Sequence, residues 1–133
     1  MAKGLEKHQA KQAQLSALGK DLTRRSGSKC ELCETSGVSL RPYPVPPEED
    51  EPRVDTCLFA CDLCREQLEN PKRIDASHWR CAAQSVWSEV PAVQVVAARV
   101  LDRLGKKELW AREALEDVFF EEEVEEWIAK QVL

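Results

Sequence analysis

Cys30-Glu31-Leu32-Cys33 and Cys61-Asp62-Leu63-Cys64, two C-x-x-C pairs with 27 residues between the inner cysteines, constrain this chain more than any other feature. Two residues between the sulfurs let a tight turn aim both thiolates at one ion, and a second such pair completes the tetrahedral four-sulfur shell of structural zinc. The spacing predicts Cys30, Cys33, Cys61 and Cys64 as metal ligands and zinc as the cofactor. Iron accepts the same shell, and spacing does not separate the two. With all four positions filled by protein there is none for water, so the metal is expected to fold the chain rather than to catalyse. Disulfides would want an oxidising compartment, and a redox C-x-x-C is normally single and set in a βαβ pattern missing from this sequence.

At 133 residues the chain is one domain of ordinary size, or a small metal module with helical additions. No apolar run approaches the roughly 18 residues of a membrane span. The segment Met1 to His8 lacks the apolar stretch of a secretory signal, so the cytoplasm is the expected location and no membrane association is foreseen. The formal charge is −5, which four thiolates and one divalent cation lower to −7, a balance that repels nucleic acid at long range. It is unevenly spread. Residues 1–29 carry seven basic groups against Glu6 and Asp21, and residues 105–133 carry nine acids against four bases. The two ends are expected to pair within the fold or between two copies, or the basic end forms a nucleic-acid patch.

Residues 4–25 are predicted as a helix with a thin apolar stripe of Leu5, Leu15, Leu18 and Leu22, stopped by Gly27. Such a helix is marginal alone and must pack on the protein or on a partner. Val38 to Tyr43 alternates as a short strand that Pro42 confines to an edge, and Val54 to Ala60 is the return strand. Between them runs a proline-rich acidic loop, Pro44 to Pro52. The second cysteine pair opens a helix that ends at Asn70-Pro71, so the thiolates sit at a helix N-terminus with its partial positive charge. Asp75 is expected to cap a helix over residues 77–87, and Ser88 the next one, with Pro91 in its first turn. That helix places Val93, Val96, Ala97, Val100, Leu101 and Leu104 on one face and ends at Gly105. Two amphipathic segments follow, 108–118 and 122–132, with Trp110, Leu115, Phe119, Val124, Trp127 and Ile128 as core contributors.

His78 and Cys81 form an H-x-x-C that, with Cys57, raises a second metal site as one reading. The other has the two cysteines as buried small apolar residues and His78 hydrogen-bonding its helix to the metal module. The four tryptophans are assigned to packing rather than to a ligand cage. The run Glu121 to Glu126 is a solvated helix N-terminus, not paired general acids and bases. Arg25 to Cys33 looks like the zinc-knuckle opening of HNH nucleases. That family would place a histidine pair near residues 40–45, where this chain has Arg41, Pro42, Tyr43 and Pro44. No G-x-S-x-G or phosphate loop is present, and no catalytic residues are assigned.

The stretches Ser26 to Cys33, Cys61 to Pro71, His78-Trp79-Arg80-Cys81 and Ser85 to Val95 resemble the PhnA-like zinc-ribbon family over about residues 24–104. The resemblance implies a zinc-binding module held by Cys30, Cys33, Cys61 and Cys64, and implies little about activity. Members often continue into a second small β-rich domain, and any function residing there is expected to be absent from this chain or supplied by another protein.

The expected fold class is α+β: a small zinc-ribbon or treble-clef module, a short β-hairpin plus helix, packed against four to five α-helices. Residues 1–25 form the N-terminal helix, 26–74 the module and 75–133 the helical region. The expected role is non-catalytic binding of another protein. The alternative is a nucleic-acid-binding ribbon using Lys20, Arg24, Arg25 and Lys29. A third reading, a hydrolase of phosphonates or phosphoesters, would depend on His78 or Cys81.

Overall fold

A computed structural model describes residues 2–133 of the chain and the side chains of residues 5–133. Met1 and the side chain of Lys3, part of the basic segment, lie outside the described residues. The fold is α+β, with six α-helices and one two-stranded antiparallel hairpin among the described residues.

The first helix, α1 (Ala2–Ser26), ends where the turn chemistry predicts. Gly27 takes φ +66° and Ser28 returns its N–H to Thr23 O at 3.1 Å, a glycine-terminated helix end. Leu15 and Leu22 are buried, whereas the stretch from Leu5 to Ala10 is exposed. The thin stripe therefore anchors only the C-terminal half of α1.

The hairpin pairs β1 (Leu40–Pro44) with β2 (Cys57–Cys61), Leu40 opposite Cys61 and Pro44 opposite Cys57. Val45 N–H reaches Thr56 O at 3.0 Å in the same register, so the ladder bonds fall at odd-numbered residues of this strand. Pro42 and Pro44, which have no N–H, thus point at the outer edge and blunt it against further pairing. The return strand is shorter than expected because Val54–Thr56 is a 3₁₀ turn, closed by Arg53 N–H donating to Thr56 Oγ1 at 3.0 Å. Every residue of β2 is buried, since the hairpin is covered on both faces. Alternation sends Cys57 and Phe59 against Leu15 and Leu22 of α1, and Leu58 and Ala60 into the main core.

The helix α2 (Asp62–Glu69) follows β2 directly. The predicted helix over 77–87 is instead a 3₁₀ turn, His78–Cys81, continued by one short helix, α3 (Ala82–Ser85). A local tie fixes this geometry. Gln67 Oε1 accepts both Trp79 Nε1–H at 2.9 Å and Asp75 N–H at 2.8 Å, holding the fully buried Trp79 against α2.

The central helix is α4 (Pro91–Leu104), with Pro91 in its first turn as expected. Ser88 does not cap it; its hydroxyl accepts Val90 N–H in the preceding turn. Burial extends beyond the predicted face to Val95, Ala98 and Arg99, because α3, α5 (Leu109–Glu116) and α6 (Glu122–Ala129) all pack around α4. Gly105 ends the helix without a left-handed turn. The approach there is close: a Cβ would lie a tight 3.0 Å from Leu101 O and in ordinary contact, 3.5 Å, with Arg112. The buried Arg99, 4% exposed, donates to Pro46 O, Trp127 O and Ile128 O, joining α4 to the proline loop and to the end of α6.

Two core expectations are corrected. Phe119 is 89% exposed, because α5 stops at Glu116 and the turn into α6 sends Phe120, not Phe119, onto the core. Trp87 is 58% exposed, while Trp79, Trp110 and Trp127 pack, Trp110 also under the Arg80 guanidinium at 4.6 Å. No helix among the described residues is long and apolar enough to cross a membrane.

Candidate metal centre

The hairpin and the start of α2 bring the two half-sites together. Cys61 is the last residue of β2 and the N-cap of α2, its Sγ accepting Cys64 N–H at 3.5 Å. The first pair sits on a knuckle closed by Cys30 N–H to Thr35 O, 3.0 Å, and Glu34 N–H to Cys30 O, 2.9 Å. Glu34 takes φ +63° to make that turn. The knuckle is pinned to the hairpin by Glu31 N–H to Phe59 O at 2.8 Å.

The sulfurs of Cys30, Cys33, Cys61 and Cys64 all lie within 4.8 Å of one another. Cys30 and Cys64 are 3.8 Å apart, and Cys33 and Cys61 are 3.7 Å apart. Four sulfurs each about 2.3 Å from one tetrahedral centre are separated by about 3.8 Å, so these spacings suit an ion such as zinc. The cluster can hold a metal, and it is the sole such group of three or more potential ligands among the described residues.

Its electrostatics would suit a bound cation. The hydrogen bond with Cys64 holds the Cys30 thiol down to about 4, while the same contact, together with burial and the charge on Cys30, pushes Cys64 far up. Burial raises Cys61 as well. Four thiolates cannot all ionise side by side in a buried place unless a central positive charge offsets their repulsion. The N-terminus of α2 contributes in the same direction.

His78 Nε2 lies 3.2 Å from Cys64 Sγ. A ligand thiolate can only accept, so with a metal bound His78 is the Nε2–H donor, in the outer-shell role that orients metal ligands. This matches the hydrogen-bonding reading of His78. Cys57 does not join it: that thiol is fully buried against α1, its pKa raised by burial. Cys81 lies beside the cluster without belonging to it, its thiol pushed up to about 12 by burial and then by the charges of Cys33 and Cys30.

Sequence reasoning missed two supporting groups. Thr35 Oγ1 lies 3.1 Å from Cys33 Sγ, and its place two residues after a predicted ligand is the signal that would have found it. Glu31, between the first two cysteines, has a side chain only 6% exposed. It accepts Phe59 N–H at 2.8 Å and takes a two-pronged ion pair from Arg25, Nη2 at 2.8 Å and Nε at 3.0 Å. Arg25 also donates to Val54 O and Cys57 O, both 2.8 Å. It is therefore a structural clamp rather than part of a free basic surface. Lys20, Arg24 and Lys29 do remain exposed, Arg24 in a loose 3.6 Å pair with Asp21.

Among the described residues the basic and acidic ends meet only indirectly. Lys11 pairs with Glu48 at 2.6 Å and Lys130 with Glu49 at 3.6 Å, so the acidic proline loop lies between them. No family model, curated protein or solved structure matches the chain.

Proposed function

We propose that the chain is a zinc-binding protein of the PhnA-like type, built on a zinc-ribbon or treble-clef module whose metal is structural and whose role is to bind another protein. The observation that carries the metal reading is the four-sulfur cluster at tetrahedral spacing, whose protein ligands fill the shell. The PhnA-like assignment rests on the sequence stretches alone. A protein partner is supported by the net negative charge and by exposed Trp87 and Phe119, the aromatic type that anchors interfaces. Six free thiols agree with a reducing compartment such as the cytoplasm.

Elemental analysis of the purified protein beside a Cys61→Ser, Cys64→Ser variant tests the metal. One zinc per chain, lost with folded structure in the variant, supports the reading. An intact fold without metal overturns it, and one iron per chain replaces zinc. Exposed Lys20, Arg24 and Lys29 favour the second reading, nucleic-acid binding. Its test is Lys20→Glu with Arg24→Glu, leaving the Arg25 clamp intact. Steeply salt-dependent binding of an oligonucleotide that this pair abolishes supports it, and absent or salt-insensitive binding removes it.

A further inference from the structure

The four sulfurs are not equally covered. Cys30, Cys61 and Cys64 are buried, whereas Cys33 is half-buried at the wall of an opening of about 260 Å³. The same opening is lined by Cys81, the one sulfur there that is not in the cluster, with Glu31, Glu34 and the exposed Trp87 nearby. A small polar molecule therefore reaches one ligand of the centre, and reaches it beside a spare thiol.

We infer that Cys33 and Cys81 form a hydroperoxide-sensitive switch that releases the metal, an inference resting on the zinc reading above. The Cys33 thiolate attacks one oxygen of hydrogen peroxide. The O–O bond breaks, the sulfur is oxidised by two electrons to a sulfenic acid, and hydroxide leaves to take a proton as water. The Cys81 sulfur then attacks that sulfur: the S–S bond forms, the S–O bond breaks, and the Cys81 proton departs with a second water. One peroxide is reduced to two waters and two cysteine sulfurs become one disulfide. A shell that has lost one of its four thiolates holds zinc poorly, so the ion leaves.

Exposure rather than proximity points to Cys81 as the second sulfur: Cys61 lies 3.7 Å from Cys33 but is itself one of the four sulfurs of the centre. Cys30, Cys61 and Cys64 lie buried around the centre, while Cys81 shares the open side on which peroxide meets Cys33.

The test treats the full zinc-loaded chain with hydrogen peroxide, follows zinc release with a coloured chelator and maps disulfides by mass spectrometry. The expected result is one zinc released per chain, a dominant Cys33–Cys81 disulfide, and zinc binding restored by a thiol reductant. In Cys81→Ser, release persists but recovery on reduction falls severalfold, because Cys33 oxidises on to the sulfinic acid. A dominant disulfide between two cysteines of the cluster, Cys33–Cys61 included, overturns the inference, as does retention of zinc through oxidation. Absence of zinc before peroxide is added is a separate result, and it defeats the metal reading itself.

Discussion

Arg25→Met isolates the clamp that ties α1 to the metal knuckle. Methionine keeps much of the aliphatic stem and removes the guanidinium with its four donated bonds. What remains is the Glu31 carboxylate, 6% exposed, with Phe59 N–H as its surviving partner, and two backbone carbonyls stripped of their donor. An exposed ion pair would cost under about 1 kcal/mol to break, but leaving a buried charge without its partner costs about 3–5 kcal/mol. Arg25 is 21% exposed, which admits some water, so about 3 kcal/mol is expected. Set against the roughly 5–15 kcal/mol that holds a typical domain together, this is a large fraction. The assay is urea unfolding at fixed free zinc, with Glu31→Gln and the double variant completing a cycle. Glu31→Gln in the Arg25→Met background should recover about 1 kcal/mol or more, because an amide is cheaper to leave unpaired than a carboxylate. Hydrogen exchange should rise first along α1. An Arg25→Met cost below about 1 kcal/mol with no coupling to Glu31 would refute the reasoning and make the pair an ordinary surface contact.

Gln67→Leu removes the acceptor shared by Trp79 and Asp75 and should lower stability in urea by about 1–3 kcal/mol, with a shift in tryptophan fluorescence; an unchanged midpoint contradicts the shared bond. Phe119→Ser should change stability by no more than about 0.5 kcal/mol, and a loss of 2 kcal/mol would mean that the side chain packs in solution. Tyr43 is buried and its phenol is pushed up to about 12, chiefly by desolvation and then by Glu69. Its folded pKa exceeds the unfolded value, so this contribution is complete below about pH 10 and is lost as pH rises toward 12, a fall on the order of 2 kcal/mol that Tyr43→Phe should lack in alkaline urea titrations. Arg99→Leu leaves the carbonyls of Pro46, Trp127 and Ile128 without their donor and should detach α6 first, seen as faster exchange there than in α4; uniform exchange would contradict it.

The four-cysteine cluster was legible because its chemistry is local: two C-x-x-C turns and a helix start need only neighbours in sequence to be recognised. The core face of α4 was legible through its period, yet Val95, Ala98 and Arg99 were not, because periodicity records one buried face and this helix is surrounded. The segment after Asp75 has helical composition and still bends into a 3₁₀ turn, since Gln67, from a different element, holds Trp79 in place. Phe119 and Phe120 are chemically identical neighbours, and only the angle between α5 and α6 decides which is buried. Arg25 shows the same limit for function. Among seven basic residues near the N-terminus nothing in composition separates a clamp from a free cation; its partners Val54 and Cys57 are 29 and 32 residues away.

The cluster occupies the junction of the fold rather than an appendage. Cys61 is at once the end of β2 and the cap of α2, and Glu31 lies inside the first knuckle yet receives Arg25 from α1. On the opposite side, Cys64 meets His78, which is followed by the buried Trp79 that packs with α4 and its neighbours in the main core. Both hydrophobic clusters, the small one on the α1 side and the main one on the α4 side, are thereby tied through residues next to a cysteine of the four-sulfur cluster. With β1 and β2 alone too short to stand as a hairpin, and α1 too sparsely apolar to hold by itself, the metal proposed for this cluster would let the two halves be ordered together. On the zinc reading proposed above, loss of the metal should first weaken α1, whose anchor is the smaller cluster and one clamp, while the α4 helices, with their larger shared core, retain structure longer.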